Sequence, residues 1–175
     1  MTPLLAMKRI GRLEPGRMLD IGSRDFFVAR QFIDAGYEVH AIDPAPSERA
    51  IMPEQVAFQK TRLEDFDTAL KFDLVVASMV SMFVSYGLDE FLKRLADLTT
   101  PAGYNYVTLL GDEDDWASNT NCKAISFREA LALIDACGLR PMYKATEYFD
   151  GSTYDGTPKA WHIHTFVTVD KRVTE

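Results

Sequence analysis

The segment Met18-Leu19-Asp20-Ile21-Gly22-Ser23-Arg24-Asp25-Phe26, answered by Val39-His40-Ala41-Ile42-Asp43, constrains the fold of this chain more than any other. An apolar run broken by an acid and a glycine leads into helical spacing from about Phe26 to Ala35, and a second apolar run ends in a carboxylate. Strand, glycine turn, helix and acid-ended strand form the layout of a nucleotide-type ligand site in an open α/β sheet. The ligand lies across the carboxyl ends of the strands, where the second acid can take ribose hydroxyls.

Glycine spacing separates the chemistries that share this layout. A dinucleotide site needs G-x-G-x-x-G so that a pyrophosphate can approach bare backbone at a helix N-terminus. Here Gly22 stands alone, with Arg24 and Phe26 at the following alternate positions. The order acid-x-Gly, Asp20 before Gly22, resembles the first half of motif I of class I S-adenosylmethionine (SAM) methyltransferases, which usually reads acid-x-Gly-x-Gly-x-Gly.

The rest of the chain alternates in the same way. Residues 2 to 11 predict a short amphipathic helix, followed by a turn at Glu14-Pro15-Gly16 and a first strand over Arg17 to Ile21. A helix to Gly36 and a strand over Tyr37 to Asp43 come next. Pro44, Pro46 and Pro53 then leave room for at most a short helix around Ser47 to Ile51. Val56 to Thr61 reads as a strand, Leu63 to Leu70 as a helical or turn segment, and Phe72 to Ser78 as the buried middle of a parallel sheet. Leu88 to Leu98 has clear helical spacing. Thr100 to Gly103 reads as a turn into a strand over Tyr104 to Leu110. Gly111 to Lys123 is irregular, and Ser126 with Glu129 predicts a capping box for a helix from Phe127 to Cys137. Strands over Leu139 to Phe149 and Ala160 to Val169 close the chain as a hairpin around the tip from Asp150 to Lys159.

Five strand–helix units and this hairpin predict a doubly wound α/β fold. Its seven-stranded sheet is mostly parallel with an antiparallel C-terminal hairpin, and one domain spans residues 1–175. The closing hairpin favours the methyltransferase arrangement over the dinucleotide fold, which ends in a parallel strand. Phe72-Asp73-Leu74-Val75-Val76-Ala77-Ser78-Met79-Val80-Ser81-Met82-Phe83 also resembles the fourth-strand motif of the tellurite-resistance group of small methyltransferases. Thr100-Pro101-Ala102-Gly103-Tyr104-Asn105 resembles that group's Pro-Gly-Gly-Tyr turn, with Ala102 in place of one glycine.

The resemblance implies SAM as cofactor and assigns roles. Gly22 admits the methionine part, Asp20 accepts from its ammonium group, and Ser23 lies in the same loop. Asp43 takes the ribose hydroxyls and Pro44 shapes the turn beneath them. Arg62 and Leu63 stand where this family contacts the adenine edge, with Thr61 in place of the usual acid. Ser78 lies beside the reactive methyl. Arg24 either reaches the cofactor carboxylate or pairs with Asp25 or another acid, and Phe26 belongs to the core. Met79, Met82, Trp116 and Cys122 are candidates for the acceptor pocket, the methionines alternatively being packing.

Composition sets further bounds. Formal charge is −7, with acids and bases mixed along 175 residues. No basic stripe is present to grip phosphates, so nucleic acid is not an expected partner. No stretch approaches transmembrane length. Cys122 and Cys137 are isolated, which predicts a reducing cytoplasm. His162 and His164 share one face of a strand, but no third ligand stands at motif spacing, and no metal is expected. His40 reads as a satisfied histidine of its strand, and Asp112 to Asp115 as a solvated loop.

The leading expectation is transfer of a methyl group from SAM to a small-molecule acceptor. The rival is a methyltransferase-fold protein without transfer activity that supports a partner, favoured by Arg24, Phe26 and Thr61. A nicotinamide oxidoreductase comes third. The sequence is silent on the acceptor and the oligomeric state.

Overall fold

A computed structural model describes residues 1–153 and 155–172. Four helices, α1 (Pro3–Arg9), α2 (Phe27–Asp34), α3 (Leu88–Leu98) and α4 (Phe127–Ala136), accompany seven strands in these residues. The strands are β1 (Arg17–Ile21), β2 (Glu38–Ile42), β3 (Val56–Gln59), β4 (Phe72–Ala77), β5 (Thr99–Leu110), β6 (Leu139–Ser152) and β7 (Pro158–Asp170). They form one sheet in the order β3-β2-β1-β4-β5-β7-β6. The first five are parallel, and β7 runs antiparallel to both β5 and β6.

Alternation along the strands divides the core into two layers. Met18, Val39, Leu74, Val76, Tyr106 and Val167 pack under α1 and α2 with Met7, Ala29 and Phe32. Leu19, Ile21, Val75, Val107, Leu109 and Phe166 pack under α3 and α4 with Phe91, Leu95, Ala130 and Ile134. β4 is apolar at every position but Asp73, as befits a strand covered on both faces. At the start of α4, the Ser126 hydroxyl accepts from the Glu129 N–H while the Glu129 carboxylate accepts from the Ser126 N–H.

Three expectations are corrected. Helices occupy only three of the five expected strand–helix units: the β2–β3 and β3–β4 connections contain none. The prolines at 44, 46 and 53 hold the first connection away from helical backbone, and the second is a series of turns. Thr100 to Gly103 is not a turn preceding a strand but a bulge inside β5, accommodated between the pairs Phe72↔Thr99 and Leu74↔Tyr104. A Cβ on Gly103 would lie 2.9 Å from the Asp73 carbonyl oxygen and 2.6 Å from Thr99 Cγ2, so the bulge needs glycine. The hairpin is also longer than expected, because Asp150↔Ala160, Gly151↔Lys159 and Ser152↔Pro158 continue the ladder. β5 ends at the pair Leu110↔Ile163, so the first residues of β7 project beyond the carboxyl edge of the parallel strands.

Candidate functional site

At the carboxyl end of β1 the chain turns at Gly22, whose φ is +75°. The Gly22 and Ser23 N–H groups both donate to the Ile42 carbonyl at the end of β2, at 2.8 and 3.2 Å. Arg24 and Phe26 then take φ of +39° and +61°. These are left-handed conformations that residues with a Cβ avoid at a cost of about 1–2 kcal/mol each. The backbone therefore makes glycine-like turns at alternate positions without glycine. Phe26 is a core residue, buried with its ring edge-on to Phe58 at 5.3 Å.

Asp43, just past β2, ties this loop down. Its Oδ2 accepts from the Arg24 N–H at 3.0 Å and its Oδ1 from the Ala45 N–H at 2.6 Å. The Arg24 carbonyl accepts from the Ser47 N–H at 2.9 Å, so the glycine turn and the proline-rich segment are knit together. Pro44 is exposed at that corner.

Asp20 is 2% exposed. Burial pushes its carboxyl up to about 7; a backbone hydrogen bond at Ala29 opposes this, while the charges of Asp25 and Asp43 add to it. Its Oδ2 has no hydrogen-bond partner, and neither does the buried Ser23 hydroxyl on the other side of the glycine. Buried polar atoms are almost always satisfied, and an orphan of this kind points to strain, a functional role, or an ordered water or ligand as its partner. Asp20, Gly22, Ser23, Arg24 and Asp43 thus lie together at the ends of β1 and β2. Ser78 is half-buried at the end of β4, in the row that continues from Gly22. Leu63, by contrast, packs into the core with Ile42 and Phe66, and Arg62 is exposed.

The four acceptor-side candidates form one apolar cluster. Met82 and Cys122 are buried with Leu110 and Ile163, and Met79, Trp116, Ala124 and Trp161 pack against them. Asp114 corrects the reading of Asp112 to Asp115 as a solvated loop. It is buried and ion-paired with the buried Lys159 at the start of β7. Its carboxylate also accepts from the N–H groups of Trp116 and His162, both at 2.9 Å. The Lys159 ammonium lies 3.7 Å from the Trp161 ring centroid and 4.8 Å from that of Trp116. The sequence reading missed Lys159 because it sits in a polar hairpin tip. The signal available was the pair of tryptophans flanking an acidic run and a lone lysine.

His162 and His164 do lie on one face, with donor atoms within 4.8 Å of one another and of Asp112. Their nitrogens are largely engaged elsewhere. His164 faces Thr146 Oγ1 at 3.0 Å and the Ile125 carbonyl at 3.1 Å. Nδ1 of His162 accepts from the Glu113 N–H at 3.0 Å, which leaves the proton on an unpartnered Nε2. His40 is hydrogen-bonded to Glu38. Among the described residues, no helix is long and apolar enough to cross a membrane.

No protein-family model matches the chain, and no curated protein matches it in sequence. Solved structures match it in fold. Phosphoethanolamine N-methyltransferase 2 from Haemonchus contortus, solved with SAM, has a TM-score of 0.73 at 17% identity over 97% of this chain and 52% of its own. TehB from Haemophilus influenzae has a TM-score of 0.71 at 14% identity, over 96% of this chain and 61% of its own. The 1,6-didemethyltoxoflavin-N1-methyltransferase of Burkholderia thailandensis, bound to 1,6-didemethyltoxoflavin and S-adenosylhomocysteine, has a TM-score of 0.66 at 17% identity over 94% of this chain and 74% of its own. Strand order, closing hairpin and these matches together give the chain the fold of class I SAM-dependent methyltransferases.

Proposed function

We propose that the protein is a SAM-dependent methyltransferase acting on a small-molecule acceptor. The observation that carries this reading is the pair of orphaned buried atoms, Asp20 Oδ2 and Ser23 Oγ, on either side of the left-handed Gly22 turn. An acid-lined turn with unfilled hydrogen-bonding capacity fits a ligand that brings an ammonium group and a sulfonium. Asp43 fits the ribose, since each of its oxygens holds one backbone N–H and keeps a further lone pair for a hydroxyl.

When bound, SAM supplies an already activated methyl group. The residues of this chain then have to bind, orient and exclude water. Asp20 and Ser23 hold the amino-acid end and Asp43 the ribose. Ser78 stands at the end of β4 beside them. The cluster of Met79, Met82, Trp116 and Cys122 forms an apolar wall on the acceptor side, and Arg62 lies at the adenine side. Kinship in fold to enzymes whose names specify small-molecule N-methylation supports a small acceptor.

A second reading, a methyltransferase-fold module without SAM binding, is favoured by two observations. The Asp43 carboxylate already closes the loop through Arg24 and Ala45, and Phe26 packs into the core where the motif has glycine.

Calorimetric titration separates the two. SAM and S-adenosylhomocysteine are expected to bind, and Asp43→Ala to weaken both by about 1–3 kcal/mol, the range for orphaning polar partners. No heat from either ligand, in a protein that still melts cooperatively, would contradict the enzyme reading.

A further inference from the structure

Parallel pairing of β4 with β5 runs out at Ala77↔Val107. Two residues later, Met79 adopts a φ of +59°, a left-handed conformation that a residue with a Cβ adopts only when its surroundings impose it. The support comes from the neighbouring strand. The Met79 N–H donates to Thr108 Oγ1 at 2.7 Å, and Thr108 is 3% exposed. After this turn the Phe83 N–H donates to the Val80 carbonyl at 2.8 Å, closing a second turn.

The consequence is felt at β1. A Cβ on Gly22 would lie 2.7 Å from Val80 Cγ2, so the loop after β4 rests on the glycine turn through the Val80 side chain. Ser81, the next residue, is buried with an unpartnered hydroxyl, as are Asp20 and Ser23 through their own side-chain oxygens. Thr108 belongs to a strand that contributes none of the expected cofactor contacts. Its hydroxyl nevertheless supports the turn that seats Val80 on Gly22.

We propose that Thr108 is a positioning residue of the cofactor site, acting through the left-handed turn at Met79 and the seat of Val80 on Gly22. The inference rests on the reading that SAM binds at the Gly22 turn. The substitution Thr108→Val keeps the shape of the side chain but removes the acceptor for the Met79 N–H, and the turn loses its support. Thr108→Ser keeps that acceptor. Met79→Gly makes the turn without help.

The test is titration with S-adenosylhomocysteine. Thr108→Val is expected to bind about tenfold more weakly than the parent, and Thr108→Ser within about twofold of it. Hydrogen exchange at the Met79 amide is expected to accelerate in Thr108→Val and not in Thr108→Ser. In a Met79→Gly background, Thr108→Val is expected to cost less than about threefold. If Thr108→Val does not fold, Val80→Ala takes its place, with an expected loss of about fivefold. Unchanged affinity in Thr108→Val, or in Val80→Ala, overturns the proposal while the methyltransferase reading stands. Equal losses in Thr108→Ser and Thr108→Val also overturn it, because shape and not the hydroxyl would then matter. Failure of the parent protein to bind overturns the methyltransferase reading, and this inference with it.

Discussion

Lys159→Met is expected to lower the unfolding free energy by about 3–5 kcal/mol, the range for removing one partner of a buried ion pair. The lysine and Asp114 are both buried, and the ammonium is enclosed by Trp116 and Trp161. Methionine fills nearly the same volume, so the cost is electrostatic: Asp114 is left as a buried carboxylate held only by backbone N–H groups. Adding Asp114→Asn removes that stranded charge while keeping an acceptor for one of the two backbone N–H groups. The double variant is therefore expected to be more stable than Lys159→Met alone. Urea unfolding of the parent, both single variants and the double closes the cycle. Additive losses would show that the two side chains stabilise the loop and hairpin independently.

Asp20 gives the second large effect, and here stability depends on pH. Its carboxyl titrates near 3.8 in the unfolded chain and at about 7 in the folded one, chiefly because it is buried. As pH rises from about 4, the unfolded state releases this proton first, so the folded state binds more protons and stability falls. The loss is complete once pH passes about 7. At 1.36 kcal/mol for each pKa unit, it amounts to about 4 kcal/mol for this group. Asp20→Asn abolishes the titration. Relative to the parent, the variant is expected to gain stability progressively between about pH 4 and 7, and to hold the gain above that. Urea midpoints at several pH values, read as the difference between the two proteins, check this. A difference that stays flat across the range would place the Asp20 carboxyl in water rather than in the core.

Most of the fold was legible because its signals are local. Leu88 to Leu98 shows helical spacing, Ser126 and Glu129 carry a capping box, and β1 and β4 read as apolar strands; all of these stand in the structure. The misreadings involve partners distant in sequence. Nothing near Asp114 reveals that Lys159 will be folded against it across a hairpin, so an acidic run reads as solvated. Thr100 to Gly103 carries the composition of a turn, and only pairing with β4 shows that it is a bulge.

The candidate site divides in the same way. Asp20, Gly22 and Asp43 are legible because acid, glycine and strand end recur in fixed order. The glycine-like φ at Arg24 and Phe26 is not legible, since neither side chain advertises it. Thr108 and Val80 are hidden for another reason: their importance depends on the pairing of β4 with β5 and on the absence of a Cβ at Gly22. An interior threonine on a buried strand looks like any other core position until the N–H that donates to it is traced.

We propose that SAM binds at the turn at Gly22, closed by Asp43. Backbone amide NMR during titration with S-adenosylhomocysteine tests it at the residues concerned. The expected result is saturable shifts at Gly22, Ser23, Arg24 and Ala45, whose N–H groups lie in or against that turn. Shifts confined to Ala57 and Gln59, beside the depression of about 200 Å³ between β2, β3 and Phe66, would place the ligand elsewhere and contradict the account. So would a spectrum that does not change.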